Sequence, residues 1–382
     1  MRVLLVDQFG EIGGGQRCLL EAATGFRERG WDVLAAVPGG PFAKSLESCC
    51  VEVHELPCGP FKSGTKSLGD GLRFGWQLPA QAAIIARIAS RGRVDVIYVN
   101  GPRVLVAATL ARGGRPVLYH AHWMPPQAGA AKLARWALRW SRASAVAPSR
   151  LAAEWLREAV DPDRIITVYN GVRGSKRGLQ PKALSTTLNV AVLGRISAEK
   201  GQLEFVRAAR IVSSRIQGVR FTICGAPMFA ERSYWTAVQA EARGLVRFQD
   251  WTDDVYSFLE NVDLIVVPSQ QIDNIPRVIL EAFAAHVPVL AFASGAIPEL
   301  IEHGETGLLV HERTAEALAQ AILSAAGQPD LLEEIAKHAY NLWKERYTLP
   351  RFQFEMCDAV EATLRLHHHR SPLKNAKANA PA

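Results

Sequence analysis

The sequence predicts an α/β protein made of two doubly wound domains that face one another across a cleft. Three observations carry that prediction. Short apolar runs alternate with longer stretches of helical period along the whole chain, the pattern of parallel sheets covered by helices on both faces. The length, 382 residues, exceeds what a single hydrophobic core commonly supports. Each half also opens on a strand that feeds a glycine-containing loop, and open parallel sheets take their ligands at such strand ends.

In the first half, strands are expected at Arg2–Val6, Asp32–Val37, Val94–Val99, Pro116–His120, Ala143–Ala147 and Ile165–Tyr169. Between them the helical period picks out Gln16–Arg29, Ala80–Arg91, Arg103–Arg112 and Ala131–Arg142. In the second half, strands are expected at Asn189–Leu193, Val219–Cys224, Val246–Gln249, Leu264–Val267 and Val287–Ala291. Their helices are Gln202–Arg215, Tyr234–Ala242, Asp254–Leu259 and Arg277–Ala285. The stretch RGSKRGLQPKALSTT (Arg173–Thr187) has no apolar period and is rich in Gly, Ser, Thr and Lys. Residues 174–187 therefore read as a linker between domains 1–173 and 188–349. A further helical pattern from about Leu342 is broken at Pro350, and the polar, basic residues 367–382 are expected to be disordered. In such a tail the triplet His367, His368 and His369 is not expected to bind metal.

Composition narrows the functional classes. Hydrophobic residues make up 48% and charged residues 21%, ordinary for a water-soluble globular protein. The opening MRVLLVDQF reaches an aspartate too soon for a secretory leader. No run approaches the ~18 uninterrupted apolar residues of a bilayer span, so a cytoplasmic location is expected. The six cysteines are scattered without a C-x-x-C pair and read as thiols in a reducing compartment. The net charge of +7 is uneven: residues 1–173 hold 22 basic against 14 acidic side chains, and the remainder 22 against 23. A basic half suits anionic lipid or a phosphorylated substrate. No nucleic-acid motif accompanies it, and no nucleic-acid partner is expected.

Three stretches carry chemistry. GEIGGGQR ends in Gly13, Gly14 and Gly15 just before a helix, where small residues allow backbone N–H groups to approach a phosphate. GRISAEKG (194–201) follows the strand Asn189–Leu193 and presents Arg195 and Lys200 beside a helix start. Fixed cations there would stabilise the negative charge on a diphosphate leaving group. The bland alternative pairs Arg195 with a nearby carboxylate and leaves Lys200 solvated. VPSQQIDNIPRVILEAFAAHVPVLAF places Asp273 and Asn274 in a loop and Glu281 inside an otherwise apolar helix. A carboxylate in that setting needs a partner: either a local Arg or backbone group, or a ligand offering two donors, such as a ribose diol. Asp161-Pro162-Asp163 imitates a metal-binding D-x-D, but its place between helix and strand makes it a turn.

Together these motifs resemble the retaining nucleotide-sugar glycosyltransferases of the group 1 class (family 4), over a span from Arg2 to about Leu366. The resemblance implies the GT-B fold: two Rossmann-like domains facing across a cleft, with the carboxy-terminal helix 350–366 crossing back to the first. GRISAEKG is similar to the family's G-R-x-x-x-x-K-G element, implying that Arg195 and Lys200 hold the donor diphosphate. Asp273 through Glu281 is similar to its E-x7-E element, with Glu281 on the ribose hydroxyls and Asp273 beside the donor sugar. Asp in place of the first Glu departs from the pattern and weakens any assignment of the sugar. GGGQR resembles the amino-terminal donor loop, adding Gly14, Gly15 and Gln16. YNGV (169–172) resembles the interdomain element, and SGAIPELIEHGETGLLV brings Gly295, Ala296 and Ile297 to the sugar and phosphates. His120 occupies the place of a histidine that contacts the donor sugar, with His122 its nearest rival. The implied catalytic set is His120, Arg195, Lys200 and Asp273.

The activity implied is transfer with retention from a UDP- or GDP-linked sugar to a glycan or lipid-linked acceptor, in surface polysaccharide or glycolipid biosynthesis. No metal and no cofactor beyond the donor is implied. The leaving phosphate oxygen would help deprotonate the acceptor, so the protein supplies alignment and charge. AKLARWALRWSRASA sets Lys132, Arg135, Arg139 and Arg142 among Leu133, Trp136, Leu138 and Trp140. This basic helix suits either a packed helix with a solvated face or peripheral contact with the inner face of the plasma membrane. The rival readings are a GT-B epimerase or phosphorylase, and a nucleotide-sugar-binding protein of weak catalysis.

Overall fold

The computed structural model describes residues 1–59, 68–122, 128–175, 187–227 and 232–369. The chain divides into two compact units, Met1–Asn170 with Pro350–Ala382, and Gly171–Leu349.

The first unit runs β1 (Arg2–Val6), α1 (Gly14–Glu28), β2 (Asp32–Val37), α2 (Pro41–Ser48), β3 (Glu52–Glu55), α3 (Leu68–Arg91) and β4 (Val96–Val99). It continues α4 (Pro102–Ala111), β5 (Val117–His120), α5 (Ala128–Ser141), β6 (Ser144–Ala147), α6 (Arg150–Arg157) and β7 (Ile165–Thr167). Its strands form one sheet of order β3-β2-β1-β4-β5-β6-β7, and the pairings are parallel. The order reverses at β1, which pairs β2 on one side and β4 on the other. β1, β4, β5 and β6 are almost wholly buried, as strands with helices on both faces must be. β3 is the exception: its sequence EVHE keeps only intermediate cover at an edge of the sheet.

The second unit runs β8 (Leu188–Leu193), α7 (Gln202–Ser213), β9 (Val219–Cys224), α8 (Arg232–Ala242), β10 (Val246–Gln249), α9 (Val255–Leu259) and β11 (Leu264–Val267). Then come α10 (Arg277–Ala284), β12 (Val289–Phe292), β13 (Leu308–Val310), α11 (Ala315–Ala326) and α12 (Pro329–Arg346). Its parallel sheet has the order β10-β9-β8-β11-β12-β13. The direction of winding again reverses at its first strand, β8. Both units are therefore Rossmann-like, each with its own buried core.

A last helix, α13 (Leu349–His368), belongs to the first unit. Phe352, Met356, Ala359 and Val360 are its buried face. Arg351 donates to the carbonyl oxygens of Tyr169 and Asn170, and Gln353 donates to that of Glu21 in α1. α13 runs to His368, so His367 and His368 belong to a helix and not to the tail. Residues 370–382 and the linker core, 176–186, lie outside the described residues.

Candidate functional site

In a doubly wound sheet, neighbouring loops leave in opposite directions where the strand order reverses, and a crevice opens at the carboxyl ends of those strands. In the second unit that place lies between β8 and β11. The loop after β8 is Gly194–Gly201, ending in a short 3-10 turn at Ala198–Lys200 and the amino-terminal cap of α7. The loop after β11 carries Ser269 to Asn274 into α10. The loop after β12 carries Ser294 to Ile297 into another 3-10 turn. All three interlock through backbone. Gly201 has φ of 71°, and a Cβ there would lie 1.9 Å from the Pro268 carbonyl oxygen. Gly295 has φ of 57°, and its Cβ would lie 2.2 Å from the Asp273 carbonyl oxygen. Only glycine fits either position. Gln270 N–H donates to the Glu199 carbonyl at 2.9 Å, and Ala296 N–H to that of Asp273 at 2.8 Å.

Two of the expected cations meet their charges inside this interlock. Lys200 Nζ is bonded to Asp273 Oδ2, which also accepts from Ser269 Oγ at 3.0 Å. Arg195 pairs with Glu199 at 2.8 Å, four residues along the same loop. Glu281 is buried in α10, with Arg277 Nε 3.6 Å away one turn earlier. The local partner that a buried glutamate needs is thus an arginine, and both side chains are 11% exposed. The loop itself is held by a residue that motif reading does not single out. Gln202 is fully buried, donates through Nε2 to the Arg195 carbonyl at 2.8 Å and accepts from Ser197 N–H at 3.3 Å. Tyr234 joins it, accepting from Leu203 N–H at 3.1 Å.

In the first unit the reversal falls between β1 and β4, and a buried polar layer occupies the strand ends there. Asp7, just past β1, accepts from Asn100 Nδ2 at 2.5 Å and from Gln16 Nε2 at 3.1 Å on both oxygens. Burial is the main influence on this carboxyl and pushes it up to about 6, against the hydrogen bonds that favour its charge. The other end of the Gln16 amide accepts from Gly13 N–H at 3.2 Å, closing the first turn of α1 as a capping box does. Both ends of Gln16 are therefore engaged in holding the glycine loop. Gly14 and Gly15 start α1, and Gly15 packs against the His122 ring: a Cβ there would lie 3.5 Å from it.

His120 closes β5, fully buried. Its Nδ1 is hydrogen-bonded to the Tyr98 hydroxyl of β4, and the His122 ring lies over it with centroids 3.7 Å apart. Burial, followed by the neighbouring His122, holds His120 well below the usual imidazole range. The Asp161–Asp163 stretch opens a 3-10 turn at Pro162–Arg164, with Asp161 capping it and 4.0 Å from Arg164. Among the described residues no group of three His, Cys, Asp or Glu side chains is arranged to hold a metal ion.

The geometry thus gathers Arg195, Lys200, Asp273, Gly295, Ala296 and Ile297 at one sheet reversal, with Glu281 on the helix that leaves it. Gly14, Gly15, Gln16 and His120 gather at the corresponding place of the other unit. Signals for Asp7, Asn100, Tyr98 and Gln202 existed only as polar residues at strand ends or a helix start.

Comparison with known proteins agrees with this architecture. The model for glycosyl transferases group 1 matches residues 187–328, and that for Glycosyltransferase Family 4 matches residues 12–175. The glycosyltransferase WcaL of Escherichia coli, named for colanic acid biosynthesis, is 26% identical over 275 residues, covering 65% of each chain. The chain thus spans just under two thirds of that relative. The lipopolysaccharide core biosynthesis glycosyltransferase LpsE of Rhizobium meliloti is 25% identical over 350 residues, covering 87% of this chain and 91% of its own. The crystal structure of Anabaena HepE with UDP and glucose superposes with a TM-score of 0.79 at 23% identity, covering 94% of this chain and 99% of that one.

Proposed function

The chain belongs to the group 1 glycosyltransferases, and from that premise we propose that it moves a sugar from a nucleotide-diphosphate donor to a glycan or lipid-linked acceptor. The observation that carries the proposal is the interlock at the β8/β11 reversal, where Arg195 and Lys200 stand on a loop locked by two glycines. Each cation is already close to a carboxylate. A diphosphate offers more negative charge than either carboxylate, and both cations can turn to it without the backbone moving. Cations fixed before the reaction stabilise charge developing on the leaving group without reorganisation. Glu281 is the acceptor proposed for the two ribose hydroxyls, with Arg277 3.6 Å away as a charge partner.

The proposed reaction uses what the site offers. Asp273 is engaged by Lys200 and Ser269, and the reading we propose gives it no nucleophilic role: the leaving phosphate oxygen takes the acceptor proton on the face it leaves, with retention of configuration. The cations take the place a metal would have, and no cofactor other than the donor is used. The UDP-bound HepE makes UDP-sugars the first donors to test, with GDP-sugars next. WcaL and LpsE act, by name, in polysaccharide and lipopolysaccharide synthesis, which suggests a surface polysaccharide or glycolipid product.

A second observation favours action at a membrane. Between Asp95 and Glu154 the sequence contains eight Lys or Arg and no carboxylate. On α5, Leu133, Trp136 and Trp140 are exposed on one face, the two indoles stacked at 5.2 Å, while Leu138 faces the core. α3 adds Trp76, 87% exposed, and Leu72. Arg135 and Arg139 are turned toward Glu158, leaving Lys132 and the indoles for a lipid surface. Exposed tryptophans beside cations suit an anionic bilayer interface, and no described helix is long and apolar enough to cross one. Peripheral contact with the inner face of the plasma membrane is the form proposed.

The test is calorimetric binding of UDP, GDP and ADP to the wild type and to Lys200→Ala. One nucleotide should bind and lose at least tenfold affinity in the variant; that nucleotide's sugars are then assayed for release, without and with EDTA, and the product anomer is read by NMR. Binding of none of the three overturns the donor-site reading. Binding without any sugar-dependent release favours a nucleotide-sugar-binding protein over a transferase.

A further inference from the structure

The Tyr98–His120 contact admits two proton assignments, and the chemistry of the two groups favours one. The two side chains are fully buried at the ends of neighbouring strands, β4 and β5, with the Tyr98 hydroxyl 2.5 Å from His120 Nδ1. If Nδ1 carried the proton and donated, the tyrosine hydroxyl hydrogen would be left unpaired; if the hydroxyl donates, Nε2–H is left unpaired. Each arrangement orphans one buried donor, so the stronger bond decides, and a phenol is the better donor and an imidazole nitrogen the better acceptor. Among the described residues Tyr98 has no hydrogen bond other than the one to His120. The hydroxyl therefore donates, Nδ1 accepts, and in a neutral ring the single proton sits on Nε2. Burial acts in the same direction on both partners, keeping the phenol protonated and the imidazole neutral. His120 Nε2 is buried and has no hydrogen-bond partner among the described residues. A buried donor left unpaired is unfavourable, and that cost is removed when a ligand oxygen arrives.

We propose that Tyr98 is a positioning residue that fixes His120 as the Nε2–H tautomer, so that His120 serves the site as a hydrogen-bond donor and not as a general base. A ring whose outer nitrogen already holds a proton cannot take one from an acceptor hydroxyl. It can donate to an oxygen of the donor sugar, and it selects sugars that offer an oxygen acceptor there, a hydroxyl or a carboxylate. The ring plane is set from two sides, by the Tyr98 bond and by the His122 ring that leans over it, and His122 is in turn seated on Gly15. The sugar-facing part of this inference rests on the transferase reading; the tautomer does not.

Two measurements separate them. Nitrogen NMR of 15N-histidine-labelled protein, with His120 assigned by its absence from His120→Ala, reads the tautomer without substrate. The wild type should show Nδ1 as a hydrogen-bonded acceptor and Nε2 protonated, and Tyr98→Phe should show a mixture of the two tautomers. A protonated Nδ1 in the wild type, or an unchanged Nε2–H spectrum in Tyr98→Phe, overturns the proposal. In the transfer assay, Tyr98→Phe should lower kcat/KM by about tenfold, the scale of one hydrogen bond. The same substitution in the His120→Ala background should then change nothing. Equal losses in both backgrounds make Tyr98 merely structural and overturn the proposal. Absence of transfer in the wild type, with the expected tautomer, removes the transferase reading and leaves the tautomer assignment supported.

Discussion

Glu281 and Arg277 are mutually dependent: each is a buried charge that the other stabilises. Removing one partner of a buried pair costs about 3–5 kcal/mol, because the other is left uncompensated. Glu281→Gln, nearly the same shape, is expected to lower stability by a sizeable part of that and to weaken nucleotide binding at least tenfold. Denaturant unfolding and calorimetry on one sample check both. If nucleosides lacking either ribose hydroxyl bind the wild type as well as the ribonucleotide does, Glu281 serves the fold alone. Asp7 gives a pH-dependent prediction of definite sign. Its folded value, about 6, lies above the ordinary aspartate value of 3.8, so the folded state holds the proton more tightly than the unfolded chain. Its contribution is full below about pH 4 and is lost as pH rises through 6, by roughly 3 kcal/mol at most. The wild-type stability minus that of Asp7→Asn should therefore fall between pH 4 and 6 and then level off. A difference that rises over this window contradicts the assignment. Arg195, Lys200 and Glu281 stand out in the sequence as candidates because a cation beside glycine or a carboxylate among aliphatics is anomalous in itself. Asp7 and Asn100, 93 positions apart, are anomalous only once β1 and β4 lie side by side.

At the scale of elements, the loops at the β8/β11 reversal depend on backbone contact more than on side chains. Gly201 and Gly244 have nearly the same left-handed backbone, φ of 71° and 78°, but a Cβ on Gly244 would meet nothing within 4 Å. Gly244→Ala isolates the conformational penalty, about 1–2 kcal/mol. Gly201→Ala adds the clash with Pro268 and should lower the melting temperature further, with a nucleotide affinity loss that Gly244→Ala does not share. Equal effects of the two would mean that the loops are not packed as described. The same physics explains which elements could be read in advance. β1, β2 and β11 match their expected limits because an apolar run bounded by polar residues marks a buried strand; β9 and β10 match as well, although β10, VRFQ, is a half-exposed edge strand. α3 begins at Leu68, twelve residues before the expected Ala80, and contains Pro79. Its early residues Leu72 and Trp76 are exposed, while Phe74 and Leu78 pack only partly buried against the core, so its apolar period is weak before Pro79. β3 was missed for a related reason, since EVHE is an edge strand with no run of apolar residues.

At the scale of the whole molecule, the two units are built on separate cores, yet the first is discontinuous in sequence: it needs α13, reached only after the chain has completed the second. The sequence marked the Pro350 break but placed the division at Arg173, where linker composition begins, and not at Asn170, where contacts change over. Composition reports flexibility, while a unit boundary is set by packing. The arrangement makes a truncation informative. Ending the chain at Leu349 removes from the first unit the buried side chains Phe352, Met356 and Val360 and the bonds from Arg351 and Gln353. Burying each large apolar side chain contributes about 1.5–3 kcal/mol, comparable in sum with the whole stability of a domain. The first unit is expected to unfold at lower temperature or to be molten at 25 °C. Gly171–Leu349 keeps its sheet, its core and the three interlocked loops that we propose hold the nucleotide, so nucleotide affinity should fall by less than threefold. In calorimetric melting, saturating nucleotide should then raise one transition of the full chain, by about 2.7 kcal/mol at a hundred times Kd, and raise that same transition in the truncated chain. Loss of nucleotide binding on truncation would place part of the nucleotide site in the first unit or in α13, and would overturn the proposal that Arg195 and Lys200 hold the diphosphate.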